Sequence, residues 1–467
     1  MDHLGFHSLT DEVVTELPVE GAIPEWLSGS LLRNGPGAFE LGPTSVDHWF
    51  DGLAMLHKFT FVDGAVRYRN RFLRSDIYEA ARTGRFEGGF ATGASTLRER
   101  LLQMLTADAY DNANIVAERV GDRYVALTES PRWVEFDPDD LHVRDHVQYG
   151  GPEPSGQLSC AHLGHDPTTD AVLNVETEFG RPNRYHVHEI LSTERRRHLA
   201  TIPTERPSYM HSFAVTPSYV VLTAFPFDVD PLALLKPGEQ PPLLEHYEWR
   251  PEAGTRVVAV DRTDGSIAVD THTEAVFGFH HVNAYDADDG TVVFDLETVP
   301  DATSMDTLYL SELREGDLGA LGGRLERFRL DPESGTVDRE TLHEGATALP
   351  TVPRDRWCRR HRYVYAQGTA QPVTDWPELI RKIDVETGDE QVYEVEDGHV
   401  CEPIFVARPD AEAEDAGVVL AVALDDAAER SHLLVLDGET LDELARATLP
   451  HAVPFDFHGR FFPELTG

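Results

Sequence analysis

Short clusters of Asp, Gly, Pro and Thr recur along the whole chain, and each stands between apolar runs that are rich in β-branched residues. Runs such as YVVL (219–222) and TVVF (291–294) flanked by these clusters are typical of β-hairpins. The clusters lie at 62–64, 121–122, 166–170, 261–265, 286–290, 331–335, 384–388 and 437–438. Because the hairpins recur every few dozen residues without a tight consensus, we expect an all-β fold, and a propeller more than a sandwich.

The charge of the chain is strongly negative. Its 467 residues include 82 Asp and Glu against 40 Lys and Arg, a formal net charge of −42 that is spread along the sequence. Such a surface repels a phosphate backbone, which argues against nucleic-acid binding. Molar salt shortens the Debye length to about 3 Å and screens this self-repulsion, so we expect a halophilic microbe as the source.

Cysteine content and hydropathy indicate the cellular compartment in which the protein is expected. The three cysteines, Cys160, Cys358 and Cys401, are an odd number, and residues 1–6 have neither a basic nor an apolar leader region. No stretch reaches the roughly 18 apolar residues that span a bilayer. We expect free thiols and a cytoplasmic protein that is not integral to a membrane, with peripheral contact at the inner membrane face as an open alternative.

Four histidines stand in distinctive segments. A neutral imidazole is the commonest protein ligand for iron, copper and zinc, and four of them without a carboxylate or thiolate would hold a divalent metal while leaving coordination positions open. We therefore predict a metalloenzyme. The four are His162 in CAHLGHDP, His211 in SYMHSF, His280 in GFHHVNAY and His458 in FDFHG.

Further motifs accompany the histidines in a fixed order. They are LRNGPG (32–37), HWFDG (48–52), MLH (55–57) and EPIFV (402–406). Together with the histidine segments, this pattern closely resembles the carotenoid cleavage oxygenase family from about Leu31 to the C-terminus. The resemblance implies a single domain over residues 1–467, a seven-bladed β-propeller with a cap of loops and short helices, and iron(II) on the propeller axis.

The resemblance also implies the residues of the site. The family binds iron(II) through four histidine Nε2 atoms and uses three glutamates to accept hydrogen bonds from the ligands. Two glutamates have counterparts here, Glu129 in ALTE and Glu402 in CEP. The segment ALP (348–350) stands where the family has Glu-Leu-Pro, so Ala348 takes the place of the glutamate expected to serve His280. Glu344, a water or a backbone carbonyl could serve instead. The implied metal ligands are His162, His211, His280 and His458.

Residues beside these ligands are candidates for contact with substrate. Thr128 matches a threonine whose methyl group crowds the sixth coordination position in family members, so we assign it to the catalytic site. Tyr209, Phe279 and Phe457 lie close to ligands in sequence and are predicted to line an apolar channel. His281 is expected to be structural, and His165 and His272 are expected in loops.

Two apolar segments lie outside the hairpin pattern. Residues 96–105 place Leu97, Leu101, Met104 and Leu105 on one helical face, which indicates either a cap helix or a membrane-facing helix. Residues 229–237 (VDPLALLKP) predict either packed leucines or an apolar entrance to the substrate tunnel.

The leading functional prediction is an oxygenase that uses dioxygen to cleave a double bond of an apolar polyene, a carotenoid or apocarotenoid, to aldehydes. Residues 32–40 and 50–59 resemble the animal retinoid-forming branch, which favours cleavage of β-carotene to retinal. Stilbene cleavage and retinoid isomerohydrolysis remain alternatives. Two other classes fit less well: a non-catalytic propeller would bury four histidines at a cost, and a zinc hydrolase usually has three ligands with a catalytic carboxylate.

Overall fold

The computed structural model describes residues 3–42, 44–86, 88–93, 110–149, 152–238, 240–315 and 318–467. The fold is all-β, as the hairpin pattern predicts. The described residues include three short α-helices, α1 (Asp76–Arg82), α2 (Thr303–Thr307) and α3 (Leu310–Glu315). Single turns of 3-10 helix lie at Leu4–Phe6, Trp49–Asp51, Ala233–Leu235, Leu243–His246, Pro251–Ala253 and Arg354–Arg356.

The strands follow one another along the whole chain. The first part contains β1 (Val14–Glu16), β2 (Val19–Gly21), β3 (Gly29–Ala38), β4 (Glu40–Leu41), β5 (Thr44–Ser45), β6 (Leu53–Val62), β7 (Ala65–Phe72), β8 (Val116–Val120), β9 (Arg123–Leu127), β10 (Val134–Phe136) and β11 (Val143–His146). The middle part contains β12 (Leu158–Ser159), β13 (Gly164–Asp166), β14 (Ala171–Glu178), β15 (Asn183–Ile190), β16 (Arg196–Thr204), β17 (Ala214–Val215), β18 (Tyr219–Ala224), β19 (Phe227–Val229), β20 (Tyr247–Trp249), β21 (Thr255–Asp261) and β22 (Ile267–Thr273). The last part contains β23 (His281–Asp286), β24 (Val292–Thr298), β25 (Gly323–Leu330), β26 (Val337–Thr351), β27 (Tyr363–Gly368), β28 (Leu379–Asp384), β29 (Glu390–Glu394), β30 (Gly398–Val400), β31 (Ile404–Ala407), β32 (Gly417–Asp425), β33 (Arg430–Asp437), β34 (Glu443–Thr448) and β35 (His458–Phe462).

These strands form antiparallel sheets in which chain neighbours mostly pair. The larger sheets have the orders β1-β7-β6-β3-β35, β11-β10-β9-β8, β12-β14-β15-β16, β17-β18-β21-β22, β23 through β29, and β2-β34-β33-β32-β30. β13 also pairs with β14, and β31 with β32; β4-β5 and β19-β20 are two-stranded. A succession of such sheets, each built from consecutive hairpins, is the arrangement of a propeller.

The predicted turn clusters connect strands. Between β6 and β7, Val62 pairs with Ala65, so Asp63 and Gly64 form a two-residue turn, and both have positive φ, 50° and 76°. A two-residue hairpin turn with two positive φ angles needs Asn, Asp or Gly, which explains this cluster. The hairpin prediction is confirmed here.

The two ends of the chain meet in the sheets. β35, at the C-terminus, pairs with β3, and β2, near the N-terminus, pairs with β34. In the first of these contacts Asn34 lies opposite His458. This pairing therefore places a predicted metal ligand beside the LRNGPG motif.

Some expectations differ from the structure or fall outside it. His165 lies in β13 and His272 in β22, so the prediction that both occupy loops is wrong. The proposed helix at 96–105 lies outside the described residues. Among the residues that are described, no helix is long and apolar enough to cross a membrane.

Candidate metal centre and substrate cavity

The four predicted histidines lie at or just before the first residue of strands at the edges of four different sheets. His162 precedes β13, His211 precedes β17, His280 directly precedes β23, and His458 is the first residue of β35. Sheets that are distant in sequence thus bring the four side chains to one place. One ring nitrogen from each lies within 4.8 Å of the corresponding atom of the other three.

The spacing of these nitrogens suits a single metal ion. The Nε2 atom of His162 lies 3.2 Å from Nε2 of His211 and 3.1 Å from Nε2 of His458. Metal–nitrogen bonds of about 2.1 Å put two ligands at right angles about 3.0 Å apart. Nε2 of His280 is buried and has no hydrogen-bond partner among the residues that the structure describes, as expected of an atom that binds a metal.

Burial favours the neutral form of three of these imidazoles. Burial, reinforced by the neighbouring imidazoles, lowers the pKa of His162, His280 and His458 well below the ordinary histidine value. A neutral imidazole retains the lone pair that a metal requires. The donor set therefore fits a divalent transition metal.

Both predicted glutamates lie against ligand histidines. Oε1 of Glu129 accepts hydrogen bonds from Nδ1 of His211 at 2.6 Å and from the Tyr209 hydroxyl at 2.5 Å. Oε1 of Glu402 accepts from Nδ1 of His458 at 2.8 Å, while its Oε2 accepts from the backbone N–H of Gly459 at 2.7 Å. A proton held on Nδ1 leaves Nε2 free to bind a metal.

His280 also has a glutamate partner, which is neither at position 348 nor the predicted alternative Glu344. Oε2 of Glu297, in β24, lies 2.9 Å from Nδ1 of His280. Ala348 instead lines the cavity, and Glu344 is exposed and lies 3.9 Å from Arg324. Burial raises the pKa of Glu297 to about 8, and a cation nearby would favour its carboxylate form.

Glu297 lies outside the family's Glu-Leu-Pro segment, so that motif does not reveal it. The hairpin around the turn at 286–290 is a partial signal, because it brings the two segments together without fixing their register. His280 and Glu297 stand on its two arms, and the backbone N–H of Glu297 donates to the carbonyl of His280 at 3.0 Å. Paired residues on adjacent strands project to the same face of a sheet, so the two side chains meet.

Arg33 of the LRNGPG motif bonds to the segments that carry His458 and Glu402. Arg33 donates from Nε and Nη2 to the carboxylate of Asp456 at 2.6 and 2.5 Å, and from Nη1 to the backbone carbonyl of Glu402 at 2.8 Å. Both members of this ion pair are buried. At Gly35 a Cβ would come within 2.4 Å of the Asp456 Cα, so this close approach requires glycine.

A cavity of 1020 Å³ opens beside the histidines. His211, His280 and His458 form part of its wall, and the rest is mostly apolar. Such a concave, mostly apolar space with a few polar groups at one place is typical of a small-molecule site. Apolar side chains in the wall include Phe50, Ile77, Phe90, Phe179, Leu234 and Leu243.

Three of the four predicted residues beside the ligands line this cavity. They are Thr128, Phe279 and Phe457. Tyr209 does not: it is buried, and its hydroxyl donates to Glu129, so its position supports the metal centre and not the predicted contact with substrate.

His281 is structural, as predicted, because its ring lies within hydrogen-bond distance of two hydroxyls. Nδ1 lies 2.8 Å from the Ser212 hydroxyl and Nε2 lies 2.9 Å from that of Thr223. Both ring nitrogens therefore have protein partners, and neither is free for a metal.

The segment at 229–237 divides between the cavity and the surface. β19 ends at Val229, and the 3-10 turn that follows contains Leu234, which is 3 % exposed and lines the cavity. Leu232 and Leu235 are 58 % and 40 % exposed. Apolar side chains therefore extend from the cavity wall to the surface.

Comparison with known proteins places these features in a family. The family model described as retinal pigment epithelial membrane protein matches residues 6–463. The chain is 32 % identical to beta,beta-carotene 15,15'-dioxygenase of Gallus gallus, covering 96 % of this chain and 95 % of that protein. It is 31 % identical to carotenoid isomerooxygenase of Galleria mellonella, covering 98 % and 96 %.

Solved structures give the same answer for the fold. The cobalt-substituted Synechocystis apocarotenoid oxygenase superposes with a TM-score of 0.87 at 27 % identity, covering 98 % of this chain and 97 % of that one. A chimera of that oxygenase with RPE65 superposes with a TM-score of 0.86 at 26 % identity, covering 98 % of this chain and 97 % of that one. With a family match from near the first residue to near the last, the chain belongs to the retinal pigment epithelial membrane protein (RPE65) family of carotenoid oxygenases.

Proposed function

We propose that the protein is a non-haem iron(II) dioxygenase that cleaves a carbon–carbon double bond of a carotenoid or apocarotenoid, with β-carotene to retinal as the first reaction to test. One observation carries the proposal: four histidine side chains converge, and three of them form part of the wall of a large, mostly apolar cavity. The relatives named as carotenoid dioxygenases match almost the entire chain. Each carbon of the broken double bond takes one oxygen atom of dioxygen, which gives two carbonyl products.

We propose iron as the metal because of the donor set. Four uncharged nitrogen ligands suit a redox-active ion, whereas closed structural zinc sites usually contain thiolates. The similarity to a cobalt-substituted oxygenase supports a divalent transition metal at this position. When bound, iron(II) supplies the dioxygen chemistry that the protein side chains cannot supply themselves.

The side chains of the protein have three tasks. Glu129, Glu297 and Glu402 hold the Nδ1 protons of their histidines, so that each Nε2 atom faces the metal. The apolar wall excludes water and aligns a long polyene so that one double bond lies beside the centre. Thr128 and Phe279 line the cavity and would restrict the positions that the polyene substrate and dioxygen can occupy.

We further propose one domain, a seven-bladed propeller with the metal on its axis. Five of the large sheets would each supply a blade. The seven-stranded sheet would supply two, because β26 is 15 residues long and pairs with β25 up to Thr347 but with β27 from Thr347 to Thr351. The helices α1 to α3 and the 3-10 turns would form the cap.

A direct test uses tag-free, iron-loaded protein in molar salt with β-carotene and, separately, a long apocarotenal. We expect aldehyde products only in air, and we expect His162→Ala to lose both iron and activity. His272→Ala, which removes an exposed histidine of β22, is the matched control and should keep both. Identical aldehyde products under strict anaerobiosis would contradict a dioxygenase, and turnover by metal-free His162→Ala would contradict the metal assignment.

Membrane contact is a separate proposal. We propose that the protein is cytoplasmic and reaches a polyene in the inner membrane face through Leu232 and Leu235, because these exposed leucines adjoin the cavity residue Leu234. Replacing both leucines by serine should reduce co-sedimentation with lipid vesicles. Leu191→Ser, at another exposed leucine, is the control. Equal sedimentation of all three proteins would refute the contact.

A further inference from the structure

A second group of histidines and carboxylates lies away from the four-histidine centre. His3, which precedes the first 3-10 turn, and His399, in β30, are both buried, and their ring centroids lie 4.2 Å apart in an edge-to-face arrangement. Asp375 approaches from the connection between β27 and β28, and Asp426 from the turn after β32. One possible ligand atom from each of His3, Asp375 and His399 lies within 4.8 Å of the others.

Hydrogen bonds determine which ring nitrogens carry protons. Nδ1 of His399 lies 3.0 Å from the carbonyl oxygen of Trp376, which can only accept, so Nδ1 must donate. Nε2 of His3 lies 2.6 Å from Oδ1 of Asp375 and donates to it. Metal-binding histidines usually donate their other ring N–H to a carboxylate or a carbonyl in this way.

The two remaining nitrogens face one carboxylate oxygen. Oδ2 of Asp426 lies 3.5 Å from Nδ1 of His3 and 3.3 Å from Nε2 of His399. A proton could join only one of the two nitrogens to this oxygen, whereas a metal ion between the three atoms could bind all of them at once.

The two distances from Asp426 to the histidine nitrogens match tetrahedral coordination. Zinc bonds to histidine nitrogen and carboxylate oxygen are about 2.0–2.2 Å, which puts two ligand atoms of a tetrahedron roughly 3.3–3.5 Å apart. The two separations measured from Asp426 Oδ2 are 3.5 and 3.3 Å. Nitrogen and oxygen donors of this kind suit zinc or a neighbouring divalent transition metal better than calcium or magnesium.

We propose that His3 Nδ1, His399 Nε2 and Asp426 Oδ2 bind a zinc-like divalent metal, separate from the iron centre, and that Asp375 orients His3. The ion would fasten the N-terminal segment to strand β30 and to the turn after β32. Trp376, next to Asp375 in sequence, lines the substrate cavity and packs edge-on against Phe6 at 5.0 Å. The bound metal would thereby stabilise a part of the cavity wall.

The test measures metal content, not activity. Tag-free protein with its four-histidine centre loaded with iron is stripped of other metals, incubated anaerobically with zinc, and desalted; zinc and iron are then measured together. We expect one zinc per chain with the iron retained. His399→Gln and Asp426→Asn should lose that zinc and keep the iron, and Asp375→Asn should bind zinc about 10- to 100-fold more weakly.

Two further measurements distinguish loss of this site from misfolding and from zinc that binds elsewhere on the protein. His272→Gln, at an exposed histidine of β22, should bind zinc like the parent protein. In crystals grown with zinc, anomalous scattering should place the ion between His3, His399 and Asp426. Equal zinc content in the parent protein, His399→Gln and Asp426→Asn, or an anomalous peak elsewhere, would overturn the proposal.

Discussion

The hydrogen bond between Glu297 and His280 predicts how strongly the protein binds iron(II). It is a contact that the family motifs did not reveal. Glu297→Ala removes the acceptor 2.9 Å from Nδ1 of His280. A hydrogen bond to a charged group contributes about 1.5–3 kcal/mol, and each tenfold change in affinity corresponds to about 1.4 kcal/mol. We therefore expect iron(II) binding to weaken by about 10- to 100-fold, the range typical for loss of such a partner.

Glu297→Gln refines this expectation. A glutamine oxygen can still accept from Nδ1, so only the charge is lost, and a neutral hydrogen bond retains about 0.5–1.5 kcal/mol. The loss should be close to tenfold and smaller than that of the alanine variant. Ala348 lines the same cavity where the family has a glutamate, so Glu297→Ala with Ala348→Glu should bind iron better than Glu297→Ala alone.

The assay is anaerobic competition for iron(II) between the protein and a coloured chelator. Glu326→Gln is the matched control, because this buried glutamate in the adjacent strand β25 accepts from Arg339 and has no contact with a histidine ligand. If Glu297→Ala retained the parent affinity while Glu129→Ala lost it, His280 would not depend on Glu297. The reasoning from hydrogen-bond geometry would then be wrong.

Three more predictions concern stability. Asp456→Ala leaves Arg33 buried without its partner and should cost about 3–5 kcal/mol in chemical denaturation; an unchanged denaturation midpoint would contradict this. For Asp166, burial alone would raise the pKa, but hydrogen bonds from the two following threonines and from Arg262 hold it at about 2. The stability that this carboxylate contributes is present above its unfolded pKa of about 4 and is lost as the pH falls toward 2, so the stability difference from Asp166→Asn should shrink over that interval. A difference that stays constant with pH would refute the assignment. Finally, the net charge of −42 predicts that the thermal midpoint rises between 0.1 and 2 M KCl, and a flat profile would argue against a halophilic origin.

Local chemistry explains what could be predicted from the sequence. Turn residues such as Asp63 and Gly64 tolerate positive φ, so hairpins can be located without knowledge of their neighbours. The histidine segments and the glutamates Glu129 and Glu402 were recognised by family motifs, which preserve the order of residues along the chain. Tyr209 shows the limit of this reasoning, because a position near a ligand in sequence does not tell whether the side chain faces the cavity or the glutamate.

By itself, the sequence determined the all-β class, the hairpins and the four histidines, since these depend on residue types and their order. Only the tertiary structure decided which groups meet, and Glu297 illustrates the reason. Asp286 pairs with Val292, and an uninterrupted register would place Thr298 opposite His280. A bulge between His281 and Asn283 shifts the pairing by one residue, so that Glu297 meets His280 instead. A shift of one residue changes the partner of every later position. The local sequence does not reveal such a bulge, because a bulge depends on how the paired strands pack in the folded sheet.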